Sequence, residues 1–370
     1  MGWVGVPPIL FFYRNSATNA KFFFNHEGAQ SFYKIMKKIL LLRFSSIGDI
    51  VLTSPVVRCL RKRYPEAEIH FLCKTKFTTL LKANPYINKV YGFDKDFDTI
   101  LPQLKAEGYD VVIDLHKNLR SLRLRKFLGI TTYAFNKTNW AKWLMVNFKI
   151  NQLPEEHIVH RYMATVKPLG VVYDGEGLDY FIPEDQTFDR TKFGIRPDEP
   201  FLAFAIGAAH ATKRLPLEKI KAICALLPQK IVLLGGPAEQ SVGATVINSQ
   251  PKVINSCGKL SLHQSADAIR QASLVITHDT GMMHIAAAFR KKILSVWGNT
   301  IPEFGMFPFY PEKKSNRGKP VLLDKMIEVK GLSCRPCSKI GFDQCPKGHF
   351  KCMEEIDIEE IKRAVGELEG

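Results

Sequence analysis

A turn that could hold a phosphate is predicted where a short apolar run meets an Ala-rich run. The apolar residues 272–276 are typical of a buried parallel strand, and the Ala-rich residues after the turn favour a helix. Asp279 and Thr280 are common helix N-caps, and Gly281 lets a ligand approach the backbone. Free N–H groups and the positive end of the helix dipole would point at one spot, which suits a phosphate. The same pattern also fits an ordinary capped helix with His284 as an interior histidine.

A second group of residues could neutralise and hold the rest of a nucleotide. Lys213 and Arg214 follow the predicted strand 201–206 and precede Pro216, which suits the first position of a helix. Two cations beside a helix start would balance a diphosphate, although such a pair is also common on a solvated surface. Glu239 follows a Gly-Gly turn in the first turn of a predicted helix. Its carboxylate either favours the helix dipole or accepts hydrogen bonds from ribose hydroxyls.

The N-terminal half offers a base and a basic surface. Asp49 lies just past the first predicted strand, where a carboxylate could accept a proton from an attacking hydroxyl. The alternative is a helix N-cap, because a helix is predicted to begin at Ile50. His116 precedes a strongly basic predicted helix over residues 118–127. This segment is either a docking site for an anionic acceptor or a solvated helix face.

Four cysteines near the C-terminus have spacing that could bind a metal. They are Cys334, Cys337, Cys345 and Cys352. Four thiolates could hold a structural Zn²⁺, although the second pair is spaced by seven positions rather than three. Disulfides and free thiols are the alternatives. The other four of the eight cysteines are expected to be reduced packing residues.

Length and composition indicate a globular protein with anionic partners. The chain has 370 residues, with 46% hydrophobic and 24% charged residues, which excludes a disordered chain. Its 52 Lys and Arg residues against 36 Asp and Glu residues give a net charge of +16, which favours nucleotides, nucleic acid or an acidic membrane surface. No apolar run reaches the roughly 20 residues of a transmembrane helix. A G-x-G-x-x-G turn and a nucleic-acid-binding module are both absent from the sequence.

The elements that must position these residues alternate between strands and helices. This alternation predicts an α/β protein with two doubly wound parallel sheets and ligands in the cleft at the carboxyl ends of the strands. We expect an N-terminal domain over residues 36–183 and a C-terminal domain over 184–330. A Cys-rich segment and a C-terminal helix follow over 331–370.

Residues 1–35 do not match the rest of the chain. They contain aromatic clusters without helical or strand period, and no positive charge precedes Pro7 as it would in a signal peptide. We expect the native protein to begin at Met36, with the preceding segment a non-native or disordered extension. Mass spectrometry of the native N-terminus tests this.

Four motifs in this order resemble glycosyltransferase family 9, the ADP-heptose:lipopolysaccharide heptosyltransferases. They lie at residues 43–53, 213–216, 235–236 and 279–288, within a resemblance that runs from about Met36 to the C-terminus. The resemblance implies a GT-B fold of two Rossmann-like domains. The N-terminal domain would bind a lipopolysaccharide core or glycolipid acceptor, and the C-terminal domain an ADP-heptose-like donor. It also implies inverting transfer without a metal held by a DxD motif.

The resemblance also implies roles for individual residues. Asp49 would deprotonate the acceptor hydroxyl, and Lys213 would neutralise the departing diphosphate. Donor-binding residues would be Lys213, Arg214, Glu239 at the ribose, Leu260 near the adenine, Asp279, Thr280, Gly281, Met282 and His284. Acceptor-binding residues would be Ser46, Gly48, His116, Lys117 and Arg120. Two features depart from the family: Leu215 stands where the family usually has Trp, and residues 207–210 lack hydroxyl side chains that some members have. The identity of the donor, an ADP-sugar or another nucleotide-sugar, therefore stays open.

A phosphorylated glycolipid acceptor would place the enzyme in the cytoplasm, in peripheral contact with the inner face of the cytoplasmic membrane. The alternatives are a GT-B transferase that uses a UDP-sugar, a protein that binds nucleic acid through its charge, and an inactive sugar-nucleotide-binding scaffold. The presence of Asp49, Lys213 and Asp279 argues against the scaffold.

Overall fold

The structure of the chain is a computed structural model that describes residues 36–248, 250–312 and 323–370. The predicted N-terminal extension, residues 1–35, lies outside the described residues. No helix in the described ranges is both long and apolar enough to cross a membrane.

The first sheet has five parallel strands in the order β3-β2-β1-β4-β5. The strands are β1 (Lys38–Leu42), β2 (Glu68–Lys74), β3 (Lys89–Phe93), β4 (Val111–Asp114) and β5 (Thr132–Ala134). The helices that accompany this sheet are α1 (Ile47–Val51), α2 (Ser54–Arg63), α3 (Thr79–Lys82), α4 (Leu101–Ala106), α5 (Leu119–Leu128), α6 (Asn139–Phe148) and α7 (Ile158–Val166).

The second sheet has six parallel strands in the order β11-β10-β9-β6-β7-β8. The strands are β6 (Phe201–Ala205), β7 (Lys230–Leu234), β8 (Val253–Asn255), β9 (Leu274–His278), β10 (Lys292–Trp297) and β11 (Asp324–Glu328). The helices are α8 (Leu217–Leu226), α9 (Gln240–Ile247), α10 (Leu262–Gln271), α11 (Gly281–Ala288), α12 (Lys351–Glu354) and α13 (Ile358–Glu369). This strand order is that of a doubly wound nucleotide-binding sheet.

The strands are buried on both faces, which explains their continuous apolar sequences. In β1, Ile39 and Leu41 belong to one hydrophobic cluster, and Leu40 and Leu42 belong to the cluster on the opposite face. Alternate side chains of a strand point to opposite faces, so helices must cover both sides of the sheet. The sheet edge at the carboxyl ends of the strands is left for the loops that carry polar residues.

The structure corrects several predicted elements. The single helix predicted to begin at Ile50 is two helices, α1 and α2, and Pro55 lies in the first turn of α2. Proline lacks the N–H that a helix interior requires, so it suits a new helix start rather than a continuation. Strands β5 and β11 were not predicted from the sequence. The predicted domain boundaries stay a prediction.

Candidate functional site

A cavity of about 960 Å³ lies between the two sheets and is lined by residues from both halves of the chain. Helix α1, which follows β1, contributes Asp49, and the loop after β4 contributes His116. The second half contributes the ends of β6 and β7 and the turn between β9 and α11. The cavity therefore lies at the carboxyl ends of the strands of both sheets, where ligands of doubly wound folds bind. We refer to this cavity as the cleft.

The structure brings most of the predicted site residues together in the cleft. Its lining includes Ser46, Gly48, Asp49, His116, Lys213, Glu239, Leu260, Asp279, Thr280, Gly281, Met282 and His284. Three predicted residues do not line it. Arg214 instead donates a hydrogen bond of 3.3 Å to Glu239 Oε1. Lys117, which precedes α5, is exposed, and Arg120 is exposed because α5 turns Ser121 and Leu124 toward the interior.

Asp49 lies in the cleft as the third residue of α1. Its Oδ2 accepts hydrogen bonds from Ser46 N at 3.0 Å and Ser46 Oγ at 2.8 Å, and its Oδ1 lies 2.6 Å from Arg43 Nη2. The alternative role of Asp49 as a helix N-cap is wrong, because the N-cap of α1 is Ser46. Burial acts to raise the pKa of Asp49, but the Arg43 guanidinium and the Ser46 hydrogen bonds outweigh burial and hold it below its usual value. The carboxylate is thus in the form that can accept a proton.

Across the cleft, Lys213 lies beside the N-terminus of α11. Lys213 Nζ is 2.6 Å from Asp279 Oδ2, which also accepts a hydrogen bond of 2.7 Å from Thr300 Oγ1. Thr280 is the N-cap of α11, so the first N–H groups of this helix lack intrahelical partners. A cation and a positive helix end are thus held side by side, as the binding of a phosphate requires. Thr300 was missed from the sequence, since it belongs to no recognisable motif.

Glu239 is the last residue of a short 3₁₀ helix, and in space its side chain packs against two glycines. Its Oε2 accepts a hydrogen bond of 2.9 Å from Gly236 N. A Cβ on Gly235 would lie 2.7 Å from Glu239 Cβ, and one on Gly207 would lie 3.0 Å from Glu239 Cδ. Only residues without a side chain therefore leave room for this carboxylate, which is only partly hydrogen-bonded and faces the cleft. It can accept hydrogen bonds from hydroxyl groups.

Two of the three histidines that line the cleft, His116 and His284, are uncharged at neutral pH. Burial lowers the pKa of His284 to about 4 and that of His116 to about 3, and the neighbouring Arg43 also lowers the pKa of His116. The Nδ1 atom of His284 is buried and has no hydrogen-bond partner among the described residues. His284 is therefore both an interior histidine and a cleft residue. Lysine and arginine side chains, among them Arg43 and Lys213, carry positive charge in the cleft.

Four cationic side chains, which we call the cationic cluster, line the cleft near Asp49. They were not predicted from the sequence as site residues. The cluster consists of Lys137, Lys142, Arg161 and Lys339. None of the four forms an ion pair within the described ranges. Burial, followed by the charges of Arg161 and Lys339, lowers the pKa of Lys142 to about 8. Unpaired cations that repel one another in a cleft create a strong preference for an anion.

The contacts of the cationic cluster leave its charge unbalanced. Arg161 donates a hydrogen bond of 2.8 Å to Thr138 Oγ1, and its Nε is buried without a partner among the described residues. Lys142 Nζ lies 5.5 Å from the centre of the Phe304 ring. These partners are neutral. Lys137 and Lys142 are five positions apart, but Arg161 lies in α7 and Lys339 in the Cys-rich segment, and only the fold brings these segments together.

The four cysteines of the predicted zinc site lie in one region of the structure, but their sulfur atoms are not arranged as a set of metal ligands. Cys334 Sγ lies 3.8 Å from His349 Nε2, and burial together with the neighbouring thiols raises the pKa of Cys337 to about 11. In the described part of the chain, three metal-ligating atoms within 4.8 Å of one another occur at Glu68, His70 and Glu107. Glu107 there is already paired with lysines, which makes this group an ion-pair cluster. Zinc binding by the cysteines stays a prediction.

Comparison with known proteins identifies the family. The profile of glycosyltransferase family 9 (heptosyltransferase) matches residues 99–320, more than half of the chain. Lipopolysaccharide heptosyltransferase 1 of Campylobacter coli is 24% identical over 359 residues, which cover 90% of this chain and 99% of the relative.

Solved structures share the fold. The glycosyl transferase family 9 structure from Veillonella parvula DSM 2008 matches with a TM-score of 0.70 at 23% identity, covering 90% of this chain and 97% of that one. The Escherichia coli heptosyltransferase WaaC with ADP matches with a TM-score of 0.62 at 19% identity, covering 90% and 99%. The predicted GT-B class, with two Rossmann-like sheets facing a cleft, is confirmed. The chain belongs to glycosyltransferase family 9 and is a glycosyltransferase.

Proposed function

We propose that the protein transfers a heptose from an ADP-sugar to a lipopolysaccharide-core or similar glycolipid acceptor, with inversion at the anomeric carbon. The observation that carries this proposal is the placement of Asp49 and Lys213 in one cleft, on opposite halves of the chain. Single displacement at a sugar carbon needs a base at the acceptor and positive charge at the leaving group. The names of the relatives support heptose and lipopolysaccharide as the substrates.

On the donor side, the diphosphate would lie between Lys213 and the N-terminus of α11. The ion pair with Asp279 holds the ammonium of Lys213 at this helix end. Glu239 would accept hydrogen bonds from the ribose, and Leu260 would contact the adenine. The lysine and the helix end supply the positive charge that the leaving ADP requires, so we propose transfer without a bound metal.

On the acceptor side, Asp49 would receive the proton of the attacking hydroxyl. The acceptor oxygen forms a bond with the anomeric carbon as the bond from that carbon to the diphosphate oxygen breaks, and ADP departs with the electron pair. Because the pKa of Asp49 is low, the carboxylate is ionised before the reaction. Proton transfer is then favourable only as the hydroxyl becomes acidic during bond formation.

The anionic groups of the acceptor would bind at the cationic cluster. This replaces Lys117 and Arg120, which lie outside the cleft, as the acceptor-binding cations; His116 stays in the proposal through its place in the lining. A lipid-linked acceptor requires the enzyme to work at a membrane, and we place that work at the cytoplasmic face.

Calorimetric titration with ADP and with UDP tests the donor side. We expect wild type to prefer ADP, and Lys213→Ala to lose about 10- to 100-fold in affinity, as expected for a charge-assisted hydrogen bond. Lys221→Ala is the matched control, because Lys221 lies on the neighbouring α8, outside the cleft lining, and pairs with Glu218. A preference for UDP would contradict the proposed donor. Equal ADP affinities of wild type and Lys213→Ala would remove the proposed diphosphate site.

A further inference from the structure

Helix α6 presents an aromatic face to solvent. Trp140 is 67% exposed, Trp143 is 46% exposed and Phe148 is 58% exposed. The two indole rings stack with centroids 5.0 Å apart, and Phe148 packs edge-on against Trp143 at 5.2 Å. No residue of α6 is buried. Three adjoining exposed aromatic rings form a patch of the kind that marks an interaction site.

The other side of the same helix forms a wall of the cleft. Asn139 and Lys142 line the cleft. At the end of the helix, Lys149 Nζ donates hydrogen bonds to the carbonyl oxygens of Pro336 at 2.8 Å and Cys334 at 3.4 Å. The helix is thus attached to the Cys-rich segment while its aromatic face stays outside. Whatever covers that face lies next to the acceptor side of the cleft.

Helix α5 begins at the same edge of the first sheet and has a related surface. Helix α5 follows β4, and α6 follows β5. These two strands are parallel neighbours, and Asp114 of β4 pairs with Ala134 of β5. Helix α5 exposes Leu119, at 85%, together with Leu122 and Phe127. The basic residues Arg120, Arg123 and Lys126 are exposed between them. Apolar and basic side chains therefore share the exposed surface of this helix.

The net charge of this region indicates what kind of partner covers the surface of α5 and α6. Residues 115–154, which contain both helices, hold eight Lys and Arg residues and no Asp or Glu. A second copy of the chain would bring two basic surfaces into contact, which is unfavourable. Exposed Trp, Phe and Leu combined with Lys and Arg are typical of elements that lie at a lipid interface, and anionic headgroups supply the opposite charge.

We propose that α5 and the aromatic face of α6 dock on the surface of an anionic lipid bilayer. The aromatic rings enter the headgroup region, and the basic residues contact anionic headgroups. Because the opposite side of α6 is a wall of the cleft, docking would hold the acceptor side of the cleft next to the bilayer, so that a lipid-linked acceptor enters without leaving the membrane. This last point rests on the proposed function; the docking surface itself does not.

Vesicle flotation and fluorescence test the proposal. Wild type is mixed with vesicles of phosphatidylcholine, with or without phosphatidylglycerol. We expect binding to the anionic vesicles alone, weakened by salt, and quenching of tryptophan fluorescence by brominated lipid. The double variant Trp140→Ser/Trp143→Ser should lose about tenfold or more in vesicle affinity. Arg123→Gln/Lys126→Gln should lose affinity by a smaller factor.

Val172→Ser is the matched control, because Val172 is 80% exposed and lies outside α5 and α6. Its vesicle binding should equal that of wild type. Far-ultraviolet circular dichroism and ADP titration should give wild-type values for all variants, since none of the substituted residues lines the cleft.

Three outcomes would overturn the docking proposal: no binding of wild type to anionic vesicles, equal binding to neutral vesicles, or unchanged binding of the tryptophan double variant. A dimer in sedimentation that the tryptophan substitutions abolish, without vesicle binding, would assign the surface to a second copy. Failure of the proposed function is separate, because it appears as absence of ADP binding in a protein that still floats with anionic vesicles.

Discussion

Gly48 and Gly281 hold the two halves of the chain against each other beside the cleft. A Cβ on Gly48 would lie 3.2 Å from the Cα of Gly281 and 2.5 Å from Cδ2 of His284. A Cβ on Gly281 would lie 3.0 Å from the N atom of Gly48. Gly48 precedes Asp49, and Gly281 begins α11. The close approach of these two backbones therefore sets the distance between the proposed base and the proposed diphosphate site.

Replacing Gly48 should damage catalysis more than stability. Gly48→Ala forces the two halves apart or displaces His284, so we expect kcat/KM to fall about 100-fold. Steady-state kinetics with both substrates measures this. Gly366→Ala is the matched control, because a Cβ added to Gly366 in α13 would have no neighbouring atom of the described residues within 4 Å. Wild-type kinetics of Gly48→Ala would contradict the role of this contact.

The acceptor should bind less well as Lys142 loses its charge. Its pKa of about 8 means that the cation is present below this pH and is lost above it. We expect kcat/KM for the acceptor to fall as pH rises through about 8, or somewhat higher when the bound anion stabilises the cation. Steady-state kinetics across a pH range that brackets this value measures the profile.

Two variants at Lys142 separate its charge from other titrations. Lys142→Arg should remove this fall within the range, because arginine stays protonated. In Lys142→Met, kcat/KM for the acceptor should be as low at every pH as the wild-type value is at high pH. A wild-type profile in Lys142→Met would exclude Lys142 as the titrating group.

The ion pairs of Asp174 should differ in their contribution to stability. Arg58 and Lys62 both reach Asp174 Oδ2, at 2.8 Å and 2.7 Å, but Arg58 is buried and also pairs with Asp179, whereas Lys62 is exposed. Arg58→Ala leaves Asp179 without its cation and Asp174 with only the exposed Lys62, and it should cost about 3–5 kcal/mol. Lys62→Ala should cost at most about 1 kcal/mol. Urea unfolding measures both; equal losses would contradict this account.

Acid should also weaken this network. Although burial acts to raise it, hydrogen bonds from Arg58 and Lys62 hold the pKa of Asp174 well below its usual range. A depressed carboxyl pKa contributes stability that is present above the unfolded value of about 3.9 and is lost as pH falls toward the folded value. The difference in unfolding free energy between wild type and Asp174→Asn should therefore shrink below about pH 4. A difference that stays constant through this range in urea unfolding would contradict the assignment.

The sequence predicts the fold well where strands are buried on both faces. The apolar runs of β1 and β9 are continuous because helices cover both sides of their sheets. Strand β5 has three half-buried residues, and β11 has a polar sequence with one buried residue, so neither has such a run. Both lie at the edge of a sheet, where one side of the strand lacks a neighbour.

The two sides of the cleft differ in how far the sequence predicts them. On the donor side, the turn from Asp279 to Gly281 is made of consecutive residues, so it could be recognised from the sequence as one unit. The cationic cluster is assembled from separate segments, and its lysines resemble any surface lysine until the fold encloses them. The basic residues of α5 attract attention because they are close together in sequence, yet the helix directs Arg120, Arg123 and Lys126 to solvent.

The most direct test of the central claim is the rate of heptose transfer from ADP-heptose to a lipopolysaccharide-core acceptor by Asp49→Asn. We expect kcat to fall about 10²- to 10⁴-fold, since the amide cannot accept the proton. ADP affinity should stay at the wild-type value, because the nucleotide contacts lie on the other half. Asp94→Asn, an exposed carboxylate of the same half, should behave as wild type. Transfer by Asp49→Asn at the wild-type rate would contradict the assignment of Asp49 as the base.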